Sequence, residues 1–116
     1  MAWSIDARIP VRLLHPDEVP PAGAALLIEG DAPAPSGNMA CAAFRPTVAA
    51  HAPGCACCLP RTPVAAALDR LFSQRVRQQV PWFTEVVARI ETPAGRAALE
   101  AALAADVLAV ARFRPR

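Results

Sequence analysis

The densest chemistry in the sequence is a cysteine cluster, Gly54-Cys55-Ala56-Cys57-Cys58. A thiolate is a soft, anionic ligand that suits Zn²⁺, Cu⁺ and similar ions. In a Cys-x-Cys arrangement the intervening residue lets the chain wrap, so two sulfurs can converge on one ion, whereas adjacent cysteines rarely bind the same ion. The favoured pair is therefore Cys55 with Cys57, or Cys55 with Cys58, and Gly54 permits the tight backbone that such a loop needs.

A zinc site needs more than one pair of sulfurs, because tetrahedral zinc takes about four ligands. Beyond Cys55, Cys57 and Cys58, the candidates are Cys41, His51 or residues of a second chain. Two other interpretations stay open. The cysteines could be small apolar fillers in an Ala-rich loop, or a redox-active set, although a disulfide between adjacent cysteines would be unusual. Metal binding is favoured because three soft donors stand within four residues.

The basic residues define what the chain cannot do, since all twelve are Arg and none is Lys. A phosphate-binding loop of the G-x-x-x-x-G-K-[ST] type cannot form without its Lys. A Schiff base on a Lys side chain is excluded for the same reason. The formal net charge of +2 is too small to indicate nucleic-acid binding, although Arg112, Arg114 and Arg116 make a short basic tail.

Length and patterning indicate a single domain over residues 1–116. Pro and charged residues interrupt every apolar run before it reaches the ~18 residues of a membrane span. Asp6 precedes any apolar stretch, so the N-terminus does not resemble a secretory signal. Clustered cysteines without such a signal point to a reducing compartment. We therefore expect a cytoplasmic protein with no membrane partner.

Proline residues interrupt the first half of the chain at many positions. Residues 9–14 and 24–29 predict two strands, the second continuously apolar and ended by Gly30. A turn-rich connection, residues 15–23, lies between them. Short strands are also predicted at residues 39–44 and 47–50.

The second half predicts helices and strands in alternation. Thr62-Pro63 is an N-cap signal, and apolar residues at helical spacing then predict a helix that Pro81 ends. Residues 82–90 are rich in β-branched and aromatic types and predict a strand. Thr92-Pro93 repeats the cap signal for a second helix to about Ala105. Residues 107–113 fit either a last buried strand or a continuation of that helix, and the recurring valines favour the strand. This alternation predicts an α/β fold with a small, mostly parallel sheet and two main helices.

The segment from Gly54 to Arg61 resembles the G-C-x-C-C-x-x-R motif of the CobW-type GTPases, which are P-loop metallochaperones and cofactor-insertion proteins. The resemblance covers residues 54–114, where a capped helix, a hydrophobic strand and Glu91-Thr92 follow in the family's order, and more weakly residues 9–31. It implies metal binding by Cys55, Cys57 and Cys58, with Arg61 supporting their loop. It also implies that Glu91 and Thr92 lie where the family holds the nucleotide phosphates.

The chain departs from this family at the nucleotide site. Between Val11 and Ala25 the family has G-x-x-G-x-G-K-T-T and a full helix, where this chain has only a short Pro-rich connection. The family's E-T-[TS]-G-L-A-D-P segment is replaced after Glu91-Thr92 by Pro-Ala-Gly-Arg. The resemblance therefore implies a degenerate, truncated GTPase domain. In it Thr92 caps a helix, Glu91 ends a strand, and the helix N-terminus at Pro93 could hold an anion weakly.

These observations lead to one function hypothesis and two alternatives. The leading hypothesis is a non-enzymatic zinc-binding protein, related to CobW-type metallochaperones, that uses no nucleotide and has no GTPase activity. The first alternative is an interaction module that pairs with itself or with a full-length CobW-type GTPase through an exposed sheet edge, completing a four-ligand site between chains. The second is thiol redox chemistry at the cysteine cluster.

Overall fold

The computed structural model of the chain describes residues 7–30, 39–46 and 62–116. The elements in these ranges are β1 (Ile9–Leu13), β2 (Ala24–Glu29), β3 (Cys41–Phe44), α1 (Pro63–Val76), β4 (Glu85–Arg89), α2 (Pro93–Ala105), α3 (Val107–Arg112) and β5 (Phe113–Pro115). The strands predicted at residues 9–14 and 24–29 and the helix predicted after Thr92 are confirmed. A strand is present within residues 39–44, while the predicted strand at residues 47–50 lies outside the described ranges.

The described strands form one sheet in the order β3-β2-β4-β1-β5. Every pair is parallel, with Val11 opposite Val86, Leu26 opposite Val87 and Ile9 opposite Phe113. The predicted α/β class with a parallel sheet is therefore confirmed. Within the described ranges, the helices lack the length and the apolar character that crossing a membrane requires.

The connection from β1 to β2, residues 14–23, contains no helix, and we call it the strap. β4 lies between β1 and β2, so the strap passes from one end of the sheet to the other across a neighbouring strand. The Leu14 N–H donates to the Ala88 carbonyl at 2.8 Å, and the Gly23 carbonyl accepts from the Thr84 N–H at 2.9 Å. The strap is thereby tied to β4 and to the segment before it.

The two faces of the sheet differ because side chains alternate along each strand. On one face, which we call the helix face, Ala25, Leu27, Val86 and Ala88 belong to a core shared with α1, α2 and α3. On the other, the strap face, a smaller apolar cluster consists of Leu14, Ala24, Leu26, Ile28 and Val87. Parallel sheets usually carry helices on both faces, and among the described elements only one face does so here.

The helix that Thr62 caps, α1, ends at Val76. This is about one turn before Pro81, the residue that was predicted to end it. Gln78 adopts a left-handed φ of 58°. The Gln78 N–H donates to the Arg75 carbonyl at 3.2 Å, and the Gln79 N–H donates to the Gln74 carbonyl at 2.9 Å. This pair of bonds is a Schellman motif, which usually has Gly at the left-handed position. Because Gln stands there instead, the sequence carried no stop signal before the proline.

Of the two interpretations of residues 107–113, the favoured strand is wrong and the helix is closer to the structure. Val107–Arg112 is a short helix, and only Phe113–Pro115 is a strand, paired with β1. The Asp106 carboxylate accepts a hydrogen bond from the Ala109 N–H at 3.0 Å. This cap nucleates α3 locally, and it outweighs the strand preference of the recurring valines. The strand predicted at residues 82–90 is also shorter than expected, since β4 begins at Glu85.

Candidate functional site

The cysteine cluster and its flanks, residues 47–61, lie outside the described ranges, and with them His51, Cys55, Cys57, Cys58 and Arg61. The described residues on either side nevertheless locate both ends of this segment. Pro46 follows β3 at the carboxyl end of the strands. Thr62 is the N-cap of α1, a helix that must return the chain from the carboxyl end of β3 to the amino end of β4. Pro46 therefore lies at the carboxyl edge of the sheet, where β2, β3 and β4 end.

Cys41, the candidate ligand that the structure does describe, is the first residue of β3. Its side chain is half-buried and packs against the apolar cluster of the strap face. Burial raises the pKa of this thiol, because a thiolate loses hydration there. Metal binding requires the thiolate, so the environment of Cys41 favours a protonated, apolar role. Within residues 7–30, 39–46 and 62–116, no group of three or more His, Cys, Asp or Glu side chains is placed to hold a metal.

The carboxyl edge also carries Glu91 and Thr92, the pair singled out from the sequence. The Thr92 hydroxyl accepts from the Gly95 N–H at 3.0 Å, so its predicted role as the cap of α2 is confirmed. β4 ends at Arg89, so Glu91 lies two residues beyond the strand that it was predicted to end. The sequence did not indicate what lies against the first turn of this helix.

The carboxylate of Glu29, the last residue of β2, occupies the N-terminus of α2. Its Oε1 accepts from the Glu91 N–H at 2.7 Å and from the Thr92 N–H at 2.9 Å. Its Oε2 accepts from the Thr92 hydroxyl. Glu29 is 8 % exposed. A helix N-terminus attracts anions, and here the protein's own carboxylate fills that place.

The ionisation of Glu29 follows from this geometry. Burial by itself raises the pKa of a carboxyl group, but the hydroxyl of Thr92 and the two backbone donors outweigh it. The pKa of Glu29 is therefore below its usual value, and the side chain is a carboxylate at neutral pH. Gly95 completes the arrangement, because a Cβ at this position would overlap the Glu29 carboxylate.

A cleft of about 420 Å³ opens beside Glu29 at the carboxyl ends of β2, β3 and β4. Its lining residues are Glu29, Gly30, Arg45, Pro46, Glu91, Thr92 and Ala94. Ligands of open parallel sheets bind outside the carboxyl ends of the strands, so this is the general location expected for a site. Because Glu29 already accepts from the N–H groups of Glu91 and Thr92, the cleft does not offer these two donors to a phosphate.

A second polar cluster, which sequence reasoning missed, lies on the strap face. Arg12 forms two bonds to the Glu18 carboxylate, at 2.7 and 3.1 Å, and its Nε donates to Glu85 at 3.1 Å. Arg12 first, and then the His15 N–H, lower the pKa of Glu18 to about 2. This cluster holds the strap to the sheet through charge and offers no unpaired nucleophile.

The basic tail is engaged by acidic side chains. Arg112 pairs with Asp69 at 2.6 Å and lies over the Phe72 ring, and Arg116 pairs with Glu85 at 3.3 Å. These contacts hold α3 and β5 against the rest of the domain, so they give the tail a structural role.

In comparisons with known proteins, no family model, no curated protein and no solved structure matches the chain.

Proposed function

We propose that this protein is a non-enzymatic transition-metal-binding protein, with zinc as the metal and Cys55, Cys57 and Cys58 as ligands. The observation that carries the proposal is the placement of three thiols within four residues directly after Gly54. Soft sulfur donors select zinc and similar ions over hard cations. The resemblance of Gly54–Arg61 to the CobW-type metal motif supports the same assignment, as does the cytoplasmic location that we propose from the clustered thiols.

In this proposal His51 is the fourth ligand, and Cys41 is the less favoured alternative. Cys41 begins β3, whereas the segment that carries the other thiols departs after the end of that strand, about 10 Å further along at ~3.3 Å per residue. The Cys41 thiol also packs on the strap face and has a raised pKa. Both features favour an apolar role for Cys41. A nitrogen from His51 completes a Cys₃His donor set of the kind that structural zinc sites use.

We further propose that the protein does not bind or hydrolyse GTP. The chain has no Lys, and the strap stands where the family has its phosphate-binding loop and first helix. Glu29 adds a second, independent reason, since its carboxylate lies against the first turn of α2 and takes the N–H groups of Glu91 and Thr92. A nucleotide phosphate at that position would meet like charge from a buried carboxylate.

The test is the zinc content of the full-length protein, purified without chelator and measured by elemental analysis alongside a thiol titration. We expect about one zinc per chain, and loss of the metal in Cys55→Ala. His51→Ala should weaken binding, whereas Cys41→Ala is the matched control and should retain zinc. Metal at background level in protein with intact free thiols would overturn the proposal.

The second candidate function is an interaction module that pairs with a second copy or with a full-length CobW-type GTPase. The supporting observation is that β3 and β5 are the outer strands of the described sheet, with no further described strand beside either of them. Light scattering with and without zinc distinguishes this candidate. A metal site shared between chains requires a mass that rises with zinc, and a monomer in both conditions argues for a site within one chain.

A further inference from the structure

The outer strand β3 has main-chain groups whose directions follow from its pairing with β2. The Leu26 N–H donates to the Ala40 carbonyl at 2.9 Å, and the Gly30 N–H donates to the Phe44 carbonyl at 2.7 Å. Successive residues of a strand direct their main-chain groups to opposite sides. The N–H and carbonyl groups of Cys41 and Ala43 therefore point away from β2, along the outer edge of the described sheet.

The side chain of Arg70 reaches this outer edge from α1. Its Nη2 donates to the Ala43 carbonyl at 2.8 Å, and Arg70 itself is exposed. An outward carbonyl on an edge strand is a group with which a strand from another molecule would pair. The guanidinium satisfies that carbonyl and adds a positive charge beside the edge.

We propose that Arg70 guards the β3 edge against pairing with β3 of a second copy of this chain. The strand itself, Cys41-Ala42-Ala43-Phe44, contains no charge and no Pro. Two copies can therefore align edge to edge without like-charge repulsion, and such a segment favours intermolecular strand pairing. Charged side chains are a common means of blocking this outcome at sheet edges. Arg70 supplies that charge from a neighbouring helix, since β3 has none of its own.

The test is the self-association of Arg70→Ala in the full-length protein. Light scattering is performed over a range of concentrations with a thiol reductant and a chelator present, so neither a disulfide nor zinc can link the chains. We expect the dimer dissociation constant to fall by about tenfold relative to the unchanged protein, because one Ala43 carbonyl in each copy becomes free to accept a hydrogen bond across the pair. Arg96→Ala is the matched control, because Arg96 is an exposed arginine on α2, and it should leave association unchanged.

A second substitution locates the effect at the edge. Ala43→Pro removes an N–H that points away from β2, so it spares the bonds within the sheet. Adding it to Arg70→Ala should return association to its original level. The proposal is overturned if Arg70→Ala is folded by circular dichroism and associates no more than the unchanged protein. It is also overturned if the double variant associates as strongly as Arg70→Ala. Should Arg70→Ala fail to fold, Arg70→Gln, whose shorter side chain cannot span the same distance, makes the same comparison.

Discussion

The two faces of the sheet are stabilised by different interactions. On the helix face, α1, α2 and α3 bury a continuous apolar core that includes Leu27, Leu71 and Val86. On the strap face, apolar side chains cluster over β2 and β4, but the β1 side carries the ionic cluster of Arg12, Glu18 and Glu85. A helix can cover a sheet with apolar side chains, whereas the short strap, which contains turns at residues 16–17 and 22–23, covers less area and leaves room for charge.

The two faces should therefore contribute differently to the free energy of unfolding. Burial of apolar area stabilises the helix face without involving charge, so its contribution is not screened by salt. The ionic contacts of the strap face are partly exposed, so salt screens them and they contribute less. The helix face should therefore provide most of the stability of the domain, and the ionic contacts of the strap face should be the part that responds to salt.

The largest effect is expected for Leu71→Ala on the helix face. Leu71 lies on α1 and is fully buried, so truncation leaves a cavity and should lower the free energy of unfolding by about 2–5 kcal/mol. Val19→Ala on the strap is the matched control, because Val19 is 81 % exposed. Its effect should be within about 0.5 kcal/mol. Urea denaturation measures both, and similar losses in the two variants would contradict the comparison.

A smaller effect is expected for Glu29→Gln, which keeps the shape of the side chain but removes its charge. Two backbone donors and the Thr92 hydroxyl lose a charged acceptor, so the free energy of unfolding at pH 7 should fall by about 1–3 kcal/mol. The pKa of Glu29 is lowered in the folded protein. Its stabilisation is therefore present above the ordinary carboxyl pKa and is lost as the pH falls through the folded value.

The pH dependence provides the control for Glu29. Urea denaturation at pH 7 and at about pH 3 should show a difference between the variant and the unchanged protein that shrinks at the lower pH. A loss of equal size at both values would mean that the amide disturbs packing, and the charge of Glu29 would then have no part in the effect.

The smallest effect is expected for Glu18→Gln on the strap face. The substitution weakens the bonds to Arg12, and we expect a shift of the urea midpoint smaller than that of Glu29→Gln. The pKa of Glu18 is about 2 in the folded protein, so its contribution is present above the ordinary carboxyl pKa and is lost as the pH falls toward 2. The shift should vanish at about 1 M salt. A shift that is larger than that of Glu29→Gln, or insensitive to salt, would contradict the assignment.

Local signals in the sequence predicted most of the fold. The cap at Thr92-Pro93, the apolar run of β2 and the alternation of strand and helix each act over a few residues, and each is confirmed in the structure. One wrong prediction and one wrongly favoured alternative came from local signals in which the residue is not the usual one for its position. Gln78 stands in a left-handed position where Gly is the usual residue, and Asp106 caps a helix that the valines after it disfavour.

The environment of the candidate site could not be predicted in the same way. Glu29 meets Thr92 because β2 and β4 are neighbours in the sheet, a relation between residues that are 63 positions apart. The pairing of Arg12 with Glu85 likewise depends on the adjacency of β1 and β4. The ligand set of Cys55, Cys57, Cys58 and His51 remains a prediction from residue types and spacing, because these residues lie outside the described ranges.

The measurement that most directly tests the central claim is the zinc content of the purified full-length protein beside that of Cys55→Ala and Cys41→Ala. Elemental analysis should find about one zinc per chain in the unchanged protein and in Cys41→Ala, and a background level in Cys55→Ala. A protein that retains its free thiols and folds normally but contains no zinc would contradict the proposed function.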